Sequence, residues 1–166
     1  MRRPFIFFAF VLTGIGADLL SKWLVFRALA PRQVYRLIPG VLHIVRAENP
    51  GVAFSMLSGH ALLISLISLA AMGVVLWLYY RHRRTASVDM LLALGLVLAG
   101  AAGNLYDRVR WGRVRDFIDF VPPLPMIGHW AVFNVADICI TVGAVAFLIR
   151  EIMKTHDQPN EQKQSA

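Results

Sequence analysis

Two aspartates, Asp116 and Asp137, lie in or beside the most hydrophobic parts of this 166-residue chain. Asp137 interrupts the apolar run from Val132 to Ile149, where an ionised carboxylate costs roughly 2.5–3.5 kcal/mol of insertion energy. Counted from Trp130, it sits about 10 Å along a helix at ~1.5 Å per residue, and it needs a partner there. Asp116 lies in a charged loop with Asp119 close by, so residue types alone leave Asp116 and Asp119 equally placed as its companion. Two close carboxylates cannot both ionise easily and share a proton over a wide pH range. The ionised one takes a proton from water while the neutral one donates to a carbonyl oxygen, and the roles swap as the tetrahedral intermediate collapses. That is aspartic peptidase chemistry.

Other reactive constellations are missing from the sequence. Cys139 is the only cysteine, so no intrachain disulfide and no CxxC metal site is available, and its Ile138 and Ile140 neighbours mark it as a packed residue. The histidines are scattered singly without HExxH spacing, and nothing calls for a metal or an organic cofactor. The net charge of +7 raises the question of nucleic acid. Its sources, such as Arg81, Arg83, Arg84 and the stretch Arg108 to Arg115, flank apolar runs, which suits membrane lipid headgroups and topology signals better than a nucleic-acid face.

The elements that must position these residues are membrane spans. Hydrophobic residues make up 57% of the chain and charged ones 16%, against roughly 25% charged in soluble domains. Four apolar runs, at 4–26, 60–80, 88–106 and 132–149, match a ~30 Å hydrocarbon core. The first carries Asp18 and Lys22 and lacks a small-x-small cleavage site, so it reads as a retained span rather than a signal peptide. The expected fold is an all-α membrane protein: four transmembrane helices with a small outward-facing β element, in one domain over 1–154. A polar tail over 155–166 is expected to be disordered. Four spans put both termini on one side. Basic residues tie at eight per end, and the three arginines of the short 81–87 loop favour cytoplasmic termini.

Two segments then face outward. In 27–59, a β-branched stretch at 40–45 and Pro50-Gly51 suggest a hairpin with its turn at Pro-Gly, lying on the membrane surface and able to clamp a substrate. In 108–131, Pro122, Pro123 and Pro125 exclude helix interior. Asp18 and Lys22 pair at i,i+4, Asn104 and Arg108 share a face, and so do Asn134 and Asp137. Asn104 and Asn134 read equally as interhelical hydrogen bonds or substrate contacts, and Arg108 as a headgroup anchor or a carboxylate partner. Gly100 and Gly103 suit close helix packing. A proton- or ion-coupled transporter also uses such groups, but places them at midplane repeat interfaces, and no repeat is present.

Five blocks in order carry a resemblance: Asp18-Leu-Leu-Ser-Lys22, Asn49-Pro-Gly51, Gly103-Asn-Leu-Tyr-Asp-Arg108, Val114-Arg-Asp-Phe-Ile-Asp119 and Phe133-Asn-Val-Ala-Asp137. Together they resemble the bacterial lipoprotein signal peptidases (signal peptidase II). The resemblance implies an inner-membrane aspartic endopeptidase that cleaves prolipoproteins just before a diacylglyceryl-modified cysteine and is sensitive to the cyclic peptide globomycin. It places the catalytic dyad on Asp116 and Asp137. It also implies substrate-binding or site-shaping roles for Asn49, Gly51, Asn104, Arg108 and Asn134, with structural support from Asp18 and Lys22.

Overall fold

The structure, a computed structural model, describes residues 2–51, 60–121 and 130–164. In chain order it contains α1 (Arg2–Ala28), β1 (Val34–Ile38), β2 (Leu42–Asn49), α2 (Ala61–His82), α3 (Val88–Trp111), β3 (Val114–Phe120) and α4 (Val135–Gln164). Pro4–Ala28, Ala61–His82 and Val88–Trp111 are long and apolar enough to cross a membrane. The fourth helix is apolar from Val135 to Ile149, but its first 18 residues include Asp137, Arg150 and Glu151, so composition marks it less sharply.

The bundle is built around α3, which packs on α1, α2 and α4. Its sequence explains the central place. Glycines and alanines at Ala93, Gly95, Ala99, Gly100 and Gly103 let neighbours approach closely. A Cβ added to Gly100 would collide with the Ala136 carbonyl, and one added to Gly103 with the Asp18 carboxylate. Away from these contacts, α1 and α2 join through the stacked rings of Phe7 and Tyr79, centroids 4.0 Å apart. Their other apolar side chains, among them Leu12, Leu62 and Leu66, are exposed. That is the pattern of helices solvated by lipid, since burial inside protein brings an apolar side chain little that hydrocarbon does not.

The β element is a three-stranded antiparallel sheet in the order β1-β2-β3. A hairpin joins β1 to β2 at Pro39-Gly40. There the Val41 N–H donates to the Ile38 carbonyl at 3.0 Å, and Gly40 takes φ +75°, as a type II turn requires. Pro50-Gly51 carries the same local signal. The expected partner stretch, 52–57, lies outside the described residues, as do the prolines at 122, 123 and 125. The third strand comes from the other outward segment. At the end of α3, Gly112 adopts φ 69° and its N–H returns to the Arg108 carbonyl at 2.9 Å, a left-handed cap that turns the chain straight into β3. An isolated bridge between Ile118 and Phe133 then brings the start of α4 against β3.

α4 continues through Gln164, into the segment read from the sequence as a polar tail. Extending an existing helix needs no new nucleus, so polar residues that would not start a helix can prolong one.

Candidate active site

Asn134 immediately precedes α4, and Asp137 is its third helical residue. The Asn134 Oδ1 accepts the Asp137 N–H at 3.0 Å, and Asp137 Oδ2 accepts the Asn134 N–H at 3.1 Å. This reciprocal pair is a capping box made with Asn and Asp, and it explains the Asn-x-x-Asp spacing. The other Asp137 oxygen accepts from Asn104 Nδ2 of α3 at 2.8 Å. Asp116 stands on β3, where Asn134 Nδ2 donates to its Oδ1 at 2.6 Å and Asn49 Nδ2, from the end of β2, donates to its Oδ2 at 3.1 Å. Each carboxylate therefore receives an N–H on both oxygens. Asn134 bonds to both carboxylates, and its Nδ2 also reaches Asn104 Oδ1 at 3.1 Å.

Asp116 is 3% exposed. Burial pushes its carboxyl up to about 6, the nearby Asp137 charge pushes in the same direction, and the amides of Asn49 and Asn134 hold it back. Asp119 goes elsewhere. Three residues along a strand from Asp116, it points to the opposite face and meets His43 Nδ1 at 3.3 Å. The residue-level tie between Asp116 and Asp119 is thus broken by strand alternation: only Asp116 joins the Asn104–Asn134–Asp137 network.

Beneath the network lies a buried ionic cluster. Lys22 Nζ is 2.8 Å from Asp18 Oδ2 and 3.2 Å from Asp107 Oδ2, and all three side chains are 0% exposed. Asp18 Oδ1 accepts the Ala136 N–H at 2.9 Å, an acid at the N-terminus of α4. Asp107 also takes the Arg115 guanidinium at 2.7 and 3.1 Å and the Arg115 backbone N–H at 3.0 Å. It thereby ties α3 and α1 to β3 one residue before Asp116. Sequence reasoning assigned no role to Asp107 or Arg115. The available signal was Asp107's position three residues after Asn104, which puts it on the same helix face.

A cavity of about 810 Å³ opens beside the carboxylates. Asn49, Asn104, Arg108, Asp116 and Asp137 supply its polar edge, while Ile64, Ile67 and Ala71 of α2 and Val97 of α3 are among its apolar wall residues. Of the expected substrate contacts, Asn134 and Gly51 do not line it. Asn134 is wholly buried behind the carboxylates. Gly51 receives Arg108 at its carbonyl, 3.2 Å, and donates to Asn49 Oδ1, 2.9 Å, which holds Asn49 toward Asp116. Among the described residues, no group of three or more His, Cys, Asp or Glu is arranged to hold a metal ion.

Membrane-length helices packed around two amide-linked carboxylates, one on β3 and one on α4, beside an apolar cavity form the build of a membrane enzyme working by acid–base chemistry. Known proteins agree with that class. A family model described as signal peptidase (SPase) II matches residues 10–153. The lipoprotein signal peptidase of Dehalococcoides mccartyi (strain BAV1) is 38% identical over 94% of both chains. That of Sinorhizobium fredii is 40% identical over 92% of this chain and 90% of the other. A solved bacterial membrane enzyme superposes with a TM-score of 0.82 at 25% identity, covering 92% of this chain and 90% of its own. The chain belongs to the signal peptidase II family, a family of aspartic peptidases, and is a multi-pass membrane protein.

Proposed function

We propose that this protein removes the signal peptide from prolipoproteins by cleaving before a diacylglyceryl-modified cysteine, with Asp116 and Asp137 as the catalytic pair. The observation that carries this reading is the pair of carboxylates joined through Asn104 and Asn134 at the head of an apolar cavity. The substrate is itself a membrane-spanning segment with two acyl chains at the cut site, so an apolar chamber with its acid–base groups at one end matches it in both polarity and direction.

In the proposed reaction the ionised aspartate takes a proton from a water molecule, whose oxygen attacks the scissile carbonyl. The protonated aspartate gives its proton to the carbonyl oxygen. On collapse the C–N bond breaks, the protonated aspartate gives its proton to the new amine of the lipidated cysteine, and the ionised one takes a hydroxyl proton from the intermediate, which returns the dyad to its one-proton state. The base step contributes about 10²–10⁴-fold. Arg108, lining the cavity beside both acids, is suited to bind a substrate carbonyl or headgroup oxygen. Asn49 and Gly51 shape the rim, and Asp18 and Lys22 support the bundle from beneath.

The same reading makes 1–154 a peptidase domain of four spans, over 4–26, 60–80, 88–106 and 132–149. It sits in the bacterial inner membrane among its lipids, with both termini cytoplasmic and the dyad near the outer face. Globomycin, a cyclic peptide, is the inhibitor class that the family resemblance implies.

Purified protein with a diacylglyceryl-modified lipobox peptide tests the function directly. Cleavage before the lipidated cysteine by the wild type, abolished in folded Asp116→Asn and Asp137→Asn, is the expected result. Cleavage surviving Asp116→Asn would remove Asp116 from the pair, and no cleavage by the folded wild type would sink the peptidase reading.

A further inference from the structure

The amides between Asp116 and Asp137 must all point one way for both acids to receive N–H donors, and an amide can flip. Asn134 is held by the Asp137 backbone N–H, which donates to its Oδ1 at 3.0 Å, and Asn104 is held from the other end by Lys22. The Lys22 ammonium has three hydrogens and meets three oxygens: Asp18 Oδ2 at 2.8 Å, Asn104 Oδ1 at 3.1 Å and Asp107 Oδ2 at 3.2 Å. An ammonium donates and cannot accept, so Asn104 must turn its oxygen toward Lys22. Its NH2 is then left facing Asp137. Asn134 donates to the same Asn104 oxygen and to Asp116. A flipped Asn104 would set its NH2 against the ammonium and against the Asn134 NH2, and its oxygen against the Asp137 carboxylate.

We propose that Lys22, wholly buried and apart from the cavity, is the positioning residue that holds the Asn104 amide with its NH2 toward Asp137 and so keeps the two aspartates in working register. The inference rests on the dyad reading above. The ionic cluster is balanced without the dyad: Lys22 and Arg115 face Asp18 and Asp107. Lys22 therefore acts on the dyad chiefly by donating a hydrogen bond of fixed polarity. A glutamine at this position would itself be free to flip and would fix nothing.

The test uses full-length protein in lipid nanodiscs and the lipobox peptide. In Lys22→Gln, kcat per active molecule is expected to fall about 10²-fold, the scale of a misplaced catalytic group, with KM nearly unchanged. Adding Asn104→Ala is expected to cost nothing beyond Asn104→Ala alone, because both changes cut the same link. The basic limb of kcat/KM should also move upward, since Lys22 is among the groups that hold Asp116 down, against Asp137.

Should the single variant fail to fold, Asp18→Asn/Lys22→Gln keeps the cluster neutral and is read the same way. Loss explained entirely by fewer active molecules, with an unmoved pH limb, would overturn the proposal, as would additivity with Asn104→Ala. If the folded wild type does not cleave the peptide, the functional reading fails by itself. The positioning role is then read from the pH dependence of thermal unfolding attributable to Asp116, by difference from Asp116→Asn. A shift of that dependence in Asp18→Asn/Lys22→Gln, which leaves the net charge of the cluster unchanged, supports the proposal, and no shift overturns it.

Discussion

Asp116 differs from an ordinary carboxylate in that folding makes its proton harder to remove. Its folded value of about 6 lies above the ordinary 3.8, so the folded chain holds the proton more tightly than the unfolded chain does. The resulting stability is fully present below pH 3.8 and is lost as pH rises through about 6. Thermal unfolding of the wild type, compared with Asp116→Asn, is expected to lose ground across that window. The same titration reaches activity. A dyad working with one shared proton loses it as pH rises, so kcat/KM is expected to decline through about 6 in the free enzyme. A steady-state pH profile checks this, and a rate that keeps rising through pH 6–8 would contradict it. Asp107 carries the other residue-scale expectation. Asp107→Ala strands Arg115 without its counterion and leaves Lys22 with Asp18 alone, and breaking a buried pair this way costs about 3–5 kcal/mol. Denaturant unfolding in detergent measures it.

At the scale of elements, the site is where α1, α3, α4 and two strands meet, and close approach makes the meeting possible. Gly103 lies against the Asp18 carboxylate that also takes the Ala136 N–H of α4. Gly103→Ala is therefore expected to push α1 from α3 and loosen the start of α4, at about 1–3 kcal/mol for overpacking. A lowered unfolding midpoint together with reduced turnover is the expected result, while Gly73→Ala, which meets open space, leaves both nearly unchanged. The strands follow a related logic. β3 is short, but Asp107 anchors its start and the Ile118–Phe133 bridge its middle, so Asp116 is held between two fixed points. None of these anchors is close in sequence to the residue it serves, apart from Asp107.

For the whole molecule, lipid-facing apolar surfaces on α1 and α2 and a small sheet at one end of the bundle describe an enzyme that works at a membrane boundary. In the proposed topology, with cytoplasmic termini, Arg32 falls outside and Arg83 inside. In a Cys139→Ala background, Arg32→Cys is expected to react with a membrane-impermeant maleimide on intact spheroplasts, and Arg83→Cys only after lysis. The reverse pattern would invert the topology.

Hydropathy alone determined the helical membrane fold, because a span must be apolar along its whole length and so writes itself into composition. It also marked Asp137, since a charge inside such a run stands out against its neighbours. The remaining site residues came from the resemblance of five short blocks, because spacing along one chain left Asn104, Asn134 and Arg108 open between packing and substrate roles. Tertiary structure decided the rest. Two Pro-Gly dipeptides obey the same turn rule, and pairing with a strand 65 to 78 residues downstream, from Asn49↔Val114 to Leu42↔Phe120, accompanies the turn at Pro39-Gly40. Asp116 and Asp119 are alike in type and surroundings along the chain, and the two-residue alternation of β3 separated them. Asp107 and Arg115 stayed silent in the sequence, since a charge beside other charges at a helix end looks solvated. Only the packing of α1 and β3 against α3 takes them out of reach of water and makes their pairing part of the site.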